Sequence, residues 1–121
     1  MTTEPRAIGA NHLAQSPEVQ RWLAAAGYDA RPAERAQVLD SLSGFCRFAA
    51  RTPAQLVAVC LRSTPEGTAI SAKGRREMQG LIDRYVADRG LHGREAIVVG
   101  NHVRGFLVHN GVFIQGPVSI S

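Results

Sequence analysis

The chain has 121 residues but only two cysteines, one lysine (Lys73) and no apolar run longer than a few residues. Cys46 and Cys60 lack the Cys-x-x-Cys spacing and sit among apolar residues in helix-like segments. They read as buried free thiols, not as a metal or redox pair. Without a long apolar run no segment can span a bilayer. The opening Met1-Thr-Thr-Glu-Pro-Arg6 lacks the basic-then-apolar order of a secretory signal. The expectation is a cytoplasmic protein, where a disulfide would fit poorly. The glycines are scattered, with none of the spacing that cradles phosphate. His102 and His109 have no carboxylate or thiol beside them and read as a polar helix face near the surface. Ser16, Ser41 and Ser63 lack a nucleophile motif, and packing explains Tyr28 and Tyr85. The residues point to no enzyme, no cofactor, no metal and no small-molecule substrate.

What is present is one domain's worth of core-forming sequence, 45% hydrophobic and 20% charged. Net charge is +4 and the sequence pI is about 9.8. All the basic residues but Lys73 are arginine. Arginine's planar fork suits phosphate, although a GC-rich coding sequence produces the same skew. The charge permits a nucleic-acid partner without requiring one.

Residues 1–15 show no period and read as a flexible lead-in, and residues 116–121 as a tail. Between them, 16–115 carries the signals of a helical domain. Ser16-Pro17-Glu18 places a cap, a first-turn proline and an acid in order. Val19, Trp22, Leu23 and Ala26 then share a face, and Gly27 closes the helix. A second helix runs from Pro32 to about Ala50, with Val38, Leu39, Leu42, Phe45, Cys46 and Ala49 on its apolar side. Thr52-Pro53 opens a third, carrying Leu56, Val57, Cys60 and Leu61, which Pro65-Glu66-Gly67 breaks. A fourth spans roughly Ser71 to Arg89, with Met78, Leu81, Ile82, Tyr85 and Val86 buried. Gly90 ends it.

The segment Val103-Arg-Gly-Phe-Leu-Val-His-Asn-Gly111 admits two readings. As a helix end, Ala96, Val99, Val103, Phe106 and Leu107 fall in one arc and Asn110-Gly111 is a left-handed stop. As strands, Asn110-Gly111 is a hairpin turn between apolar arms. The lack of polar–apolar alternation weighs for the helix.

The order of these pieces resembles a known family. A helix ending in Phe45-Cys-Arg-Phe48 precedes Arg51-Thr-Pro-Ala-Gln-Leu56. A long amphipathic helix, a Gly90-Leu-His92 loop and Val103 to Gly111 follow. Together they are similar to the N-terminal, SAM-like core-binding domain of tyrosine recombinases (phage integrases). The resemblance implies an all-α fold, a compact bundle of about four or five helices. It implies duplex DNA as partner, with two helices near the major groove, and a role in DNA recombination and integration. It also implies a helical reading of 103–111. The family's catalytic Arg, His-x-x-Arg and Tyr belong to a separate domain. Here His92-Gly-Arg94 and His102-Val-Arg104 have the wrong spacing, so the resemblance implies binding without cleavage. Two positions depart from the pattern. Arg31-Pro-Ala-Glu34 replaces a hydroxyl-rich helix start, and Glu95 stands where a threonine often opens the last helix.

The candidate DNA contacts are Arg31 and Arg35 at one helix start, Lys73, Arg75 and Arg76 on the fourth helix, and Arg94, Asn101 and Arg104 on the last. Arginine would hold phosphate, and Asn101 would read a base edge if its helix enters the groove. Lys73–Glu77 and Arg84–Asp88 have the spacing of intrahelical pairs, so a plain solvated face competes with this assignment. A second hypothesis is an interaction module for a recombinase or for self-association, through the off-face Ile97, Val98, Val108 and Phe48. A third is a winged helix–turn–helix protein with residues 97–115 as its wing.

Overall fold

Proline at the first helical position fixes three helix starts, because its locked φ suits the first turn and its missing N–H is not needed there. In the computed structural model, which describes residues 13–114, these helices are α1 (Pro17–Ala25), α2 (Pro32–Ala49) and α3 (Pro53–Val59). A short 3₁₀ turn, Tyr28–Ala30, joins α1 to α2. The Thr52 hydroxyl accepts from the Gln55 N–H at 3.2 Å, and the Gln55 side chain accepts from the Thr52 N–H at 2.9 Å. This reciprocal capping box satisfies two otherwise orphaned donors.

The chain then departs from the expected all-helical course. Leu61–Thr64 (β1) and Gly67–Ile70 (β2) pair as an antiparallel hairpin, with Leu61 opposite Ile70 and Thr64 opposite Gly67. Pro65 and Glu66 are the connecting residues, and Gly67 leaves the turn at φ +128°. The helical spacing of Leu56, Val57, Cys60 and Leu61 hid this. Leu61 belongs to the strand, and Pro65-Glu66-Gly67 reverses the chain rather than merely ending a helix. After the hairpin come α4 (Ala72–Asp88) and α5 (Gly93–Val108). The described residues thus form a mostly helical fold of five α-helices with one small two-stranded sheet.

α5 resolves the ambiguous segment as helix. Val103, Phe106 and Leu107 are fully buried in the core. Gly111 takes φ +91°, and the Val112 N–H returns to the Leu107 carbonyl at 2.9 Å. That is a left-handed helix termination, so residues 97–108 cannot be a β-wing. Asn110 does more than cap. Its amide donates to the Phe106 carbonyl at 2.9 Å and to the Glu18 carbonyl at 3.0 Å. Arg21 donates to its carbonyl oxygen at 2.6 Å. The end of α5 is thereby clasped to α1.

The core gathers around aromatic edges. Trp22 meets Tyr28 and Phe106 edge-to-face at 5.8 and 5.6 Å, and Phe45 meets Tyr85 at 5.4 Å. Such geometry sets the positive ring edge against the negative face. Leu42, Leu56, Met78 and Ile82 complete the interior. Leu13, expected in the lead-in, is buried with them. The remainder of the lead-in and the 116–121 tail lie outside the described residues. Among the described residues no helix is long and apolar enough to cross a membrane.

Candidate nucleic-acid interface

The eight candidate contact residues divide sharply once side chains are placed. Arg31 is occupied at the end of α1. Its guanidinium donates to the Ala26 carbonyl at 2.8 Å and to the Gly27 carbonyl at 3.3 Å. It also pairs with Glu34 at 2.7 Å and lies 4.9 Å from the Tyr28 ring centre. Cations are favoured at a helix C-terminus, where carbonyls lack partners. Arg31 therefore joins α1 to α2, and the acid at the start of α2 is its counterion. Arg35 is turned toward Asp29 at 3.5 Å.

Arg104 corrects the expected DNA-facing surface of α5. It is only 5% exposed. Its Nη2 and Nε donate to Asn101 Oδ1 at 2.8 and 3.2 Å. The guanidinium lies over Gly100, whose missing side chain leaves it room. Burial lowers its proton affinity, and the charge of Asp83 partly restores it. Helical spacing had put Arg104 on the polar half, but its long stem runs back one turn along α5, where the head sits against Gly100 and Asn101. Asn101 remains exposed, with its carbonyl oxygen engaged by Arg104.

Arg75 is also internal in role: its Nη1 donates to the Phe113 carbonyl at 3.0 Å. That leaves Lys73, Arg76 and Arg94 as exposed candidates with no ion pair among the described residues. Glu77 is not paired with Lys73 as the spacing suggested. It reaches across to Arg51 at 3.3 Å. The hairpin adds a cation that the sequence reading missed, the exposed Arg62 on β1. Reading Pro65-Glu66-Gly67 as a turn would have found it.

Lys73 and Arg76 belong to the start of α4, which is held firmly against the hairpin base. The Ser71 N–H donates to the Cys60 carbonyl at 2.8 Å, and the Ser71 hydroxyl accepts from the Gly74 N–H at 3.0 Å. The electrostatics of this start are unusual for the chain. α1, α2 and α5 carry Glu18, Glu34 and Glu95 in their first turns and α3 carries no charge there, whereas the first turn of α4 contains no acid and holds Lys73. Positive charge at a positive helix end is locally unfavourable. A bound anion would relieve it.

Elsewhere the chemistry is quiet. Burial raises the Cys46 thiol to about 12 and the Cys60 thiol to about 11, so neither forms a thiolate near neutrality. No His/Cys/Asp/Glu group among the described residues could hold a metal. His109 is exposed and His102 is half-buried. Its Nδ1 lies 2.8 Å from the Ser41 hydroxyl, between α5 and α2. Val98, Val108 and Phe48 are exposed, while Ile97 is half-buried.

No family model, no curated protein and no solved structure matches the chain. The functional assignment rests on its own residues.

Proposed function

We propose that this chain is a duplex-DNA-binding module that docks through the start of α4 and the adjoining hairpin. Lys73, Arg76 and Arg62 contact phosphates, and Arg94 and Asn101 add a second contact along α5. The carrying observation is the cationic first turn of α4, exposed and without a carboxylate partner. The helix order, ending in the His109-Asn110-Gly111 stop, supports kinship with the SAM-like core-binding domain of tyrosine recombinases. The hairpin between α3 and α4 is not part of the all-helical pattern that the resemblance implies. The reading assigns no bond-breaking step to these residues.

Phosphate binding releases condensed counterions, so affinity falls linearly on a log–log salt plot with a slope near −0.9 per contact. A titration of random duplex DNA between about 50 and 200 mM salt tests the proposal. With Lys73, Arg76, Arg62 and Arg94 each on a phosphate, the slope should be roughly −3.6, and Lys73→Glu with Arg76→Glu brings it to about −2 or abolishes binding. Affinity that does not respond to salt would overturn the proposal. Retained binding in the double variant, lost instead with Arg94→Glu, would move the docking face to α5.

A further inference from the structure

We infer that Phe113 is a stacking platform for an unpaired DNA base beside the phosphate-binding start of α4. The inference rests on the DNA-binding reading above and adds a second recognition element to it.

Phe113 is 59% exposed, the most of any large apolar residue described. It is not exposed through slack. Val112 on one side is fully buried and Ile114 on the other nearly so. The Val112 N–H is tied to the Leu107 carbonyl at 2.9 Å, and Arg75 grips the Phe113 carbonyl at 3.0 Å. The backbone is fixed on both sides while the ring is turned outward. Holding an aromatic face in water forgoes its burial, and a rigid ring loses little further entropy when a flat ligand covers it.

The surroundings select the ligand. Ile114 lines a shallow cavity of about 180 Å³ together with Ala72, Arg75, Arg76 and Gln79. Arg75, which holds the Phe113 carbonyl, lines this cavity with the exposed Arg76, so cations flank the segment that carries the ring, and Lys73 lies one turn from Arg76 on the same helix. In this neighbourhood Arg75 Nε and Gln79 Oε1 are a donor and an acceptor without hydrogen-bond partners. An apolar protein groove matches the ring but not the cations. A nucleotide matches both, through a π-face for the ring and a phosphate for the arginine. A base within an intact duplex is covered by its neighbours, so the ring takes one that is unpaired.

Equilibrium binding at fixed low salt, to a short perfect duplex and to the same duplex with one unpaired adenine, tests this. The native chain should prefer the bulged duplex by about tenfold. Phe113→Ala should abolish the preference and leave perfect-duplex affinity unchanged within about twofold, while Phe113→Trp should keep the preference. No preference in the native chain, or an equal loss on both duplexes with Phe113→Ala, overturns the inference but leaves the phosphate contacts standing. Failure to bind either duplex overturns both readings. Sedimentation supplies an independent check. A native dimer that becomes a monomer with Phe113→Ala would make the ring a protein contact and overturn the inference.

Discussion

Gly74 sets its bare α-carbon against the Val59 carbonyl, so that a side chain at this position would run into the backbone where α3 gives way to the hairpin. The first turn of α4, with its exposed cations, is seated by this contact.

Gly74→Ala should therefore be destabilising, although alanine is the better helix former by about 1 kcal/mol. The added Cβ would collide with the Val59 oxygen and lie 2.9 Å from the Val59 carbonyl carbon and 3.1 Å from Cys60 Cα. These are backbone atoms and cannot turn away. Overpacking of this kind costs roughly 1–3 kcal/mol. Gly80→Ala on the same helix is the control, since its Cβ meets only the Arg84 guanidinium at 3.5 Å. Urea unfolding should show Gly74→Ala lowered and Gly80→Ala unchanged or raised. Equal effects would mean that the close approach at Val59 does not constrain the fold.

The helices were legible in the sequence because their signals are local and agree with one another. Proline and apolar stripe coincide at α1, α2 and α3, a side-chain cap joins them at α3, and the stripe of α4 packs into the core as its spacing implied. The hairpin was not legible for two reasons. Cys60 and Leu61 continue a helical period by accident, and four-residue strands are too short to show their own. Candidate site residues were harder still. Spacing gives the angle of a side chain around its helix, but not the bend of a long arginine or the needs of a neighbouring helix end. Arg31, Arg75 and Arg104 each satisfy carbonyl oxygens, of the backbone or of Asn101, that sequence spacing does not reveal. The surviving cations are those that form no ion pair among the described residues, as with Lys73, whose neighbour Glu77 is taken by Arg51.

Arg104 should matter to folding and not to docking. Arg104→Ala removes its packing and its two bonds to Asn101. Losing buried hydrogen-bonded contacts costs on the order of 1–3 kcal/mol, so the thermal midpoint should fall by several degrees. The salt slope of DNA binding, measured well below that midpoint, should not change. A slope reduced by about one in Arg104→Ala would instead make it a phosphate contact, and its burial would then have to open on binding.

His102 makes stability depend on pH in a fixed direction. Burial between α5 and α2 disfavours its charged form and lowers its pKa below the ordinary 6.5. The Ser41 hydroxyl can accept from the imidazolium as well as pair with the neutral ring. The penalty therefore comes from burying charge and not from losing that bond. In the unfolded chain His102 binds a proton near pH 6.5, whereas in the folded chain it resists until lower pH. The unfolded state thus holds more protons across that interval, and its contribution to stability, full above about pH 7, declines as pH falls through 6.5 and towards the folded pKa. Unfolding free energies at pH 7.5 and 5.5 should differ, with the lower pH less stable. His102→Gln should flatten that part of the profile. A slope that survives His102→Gln would assign the proton uptake to another group.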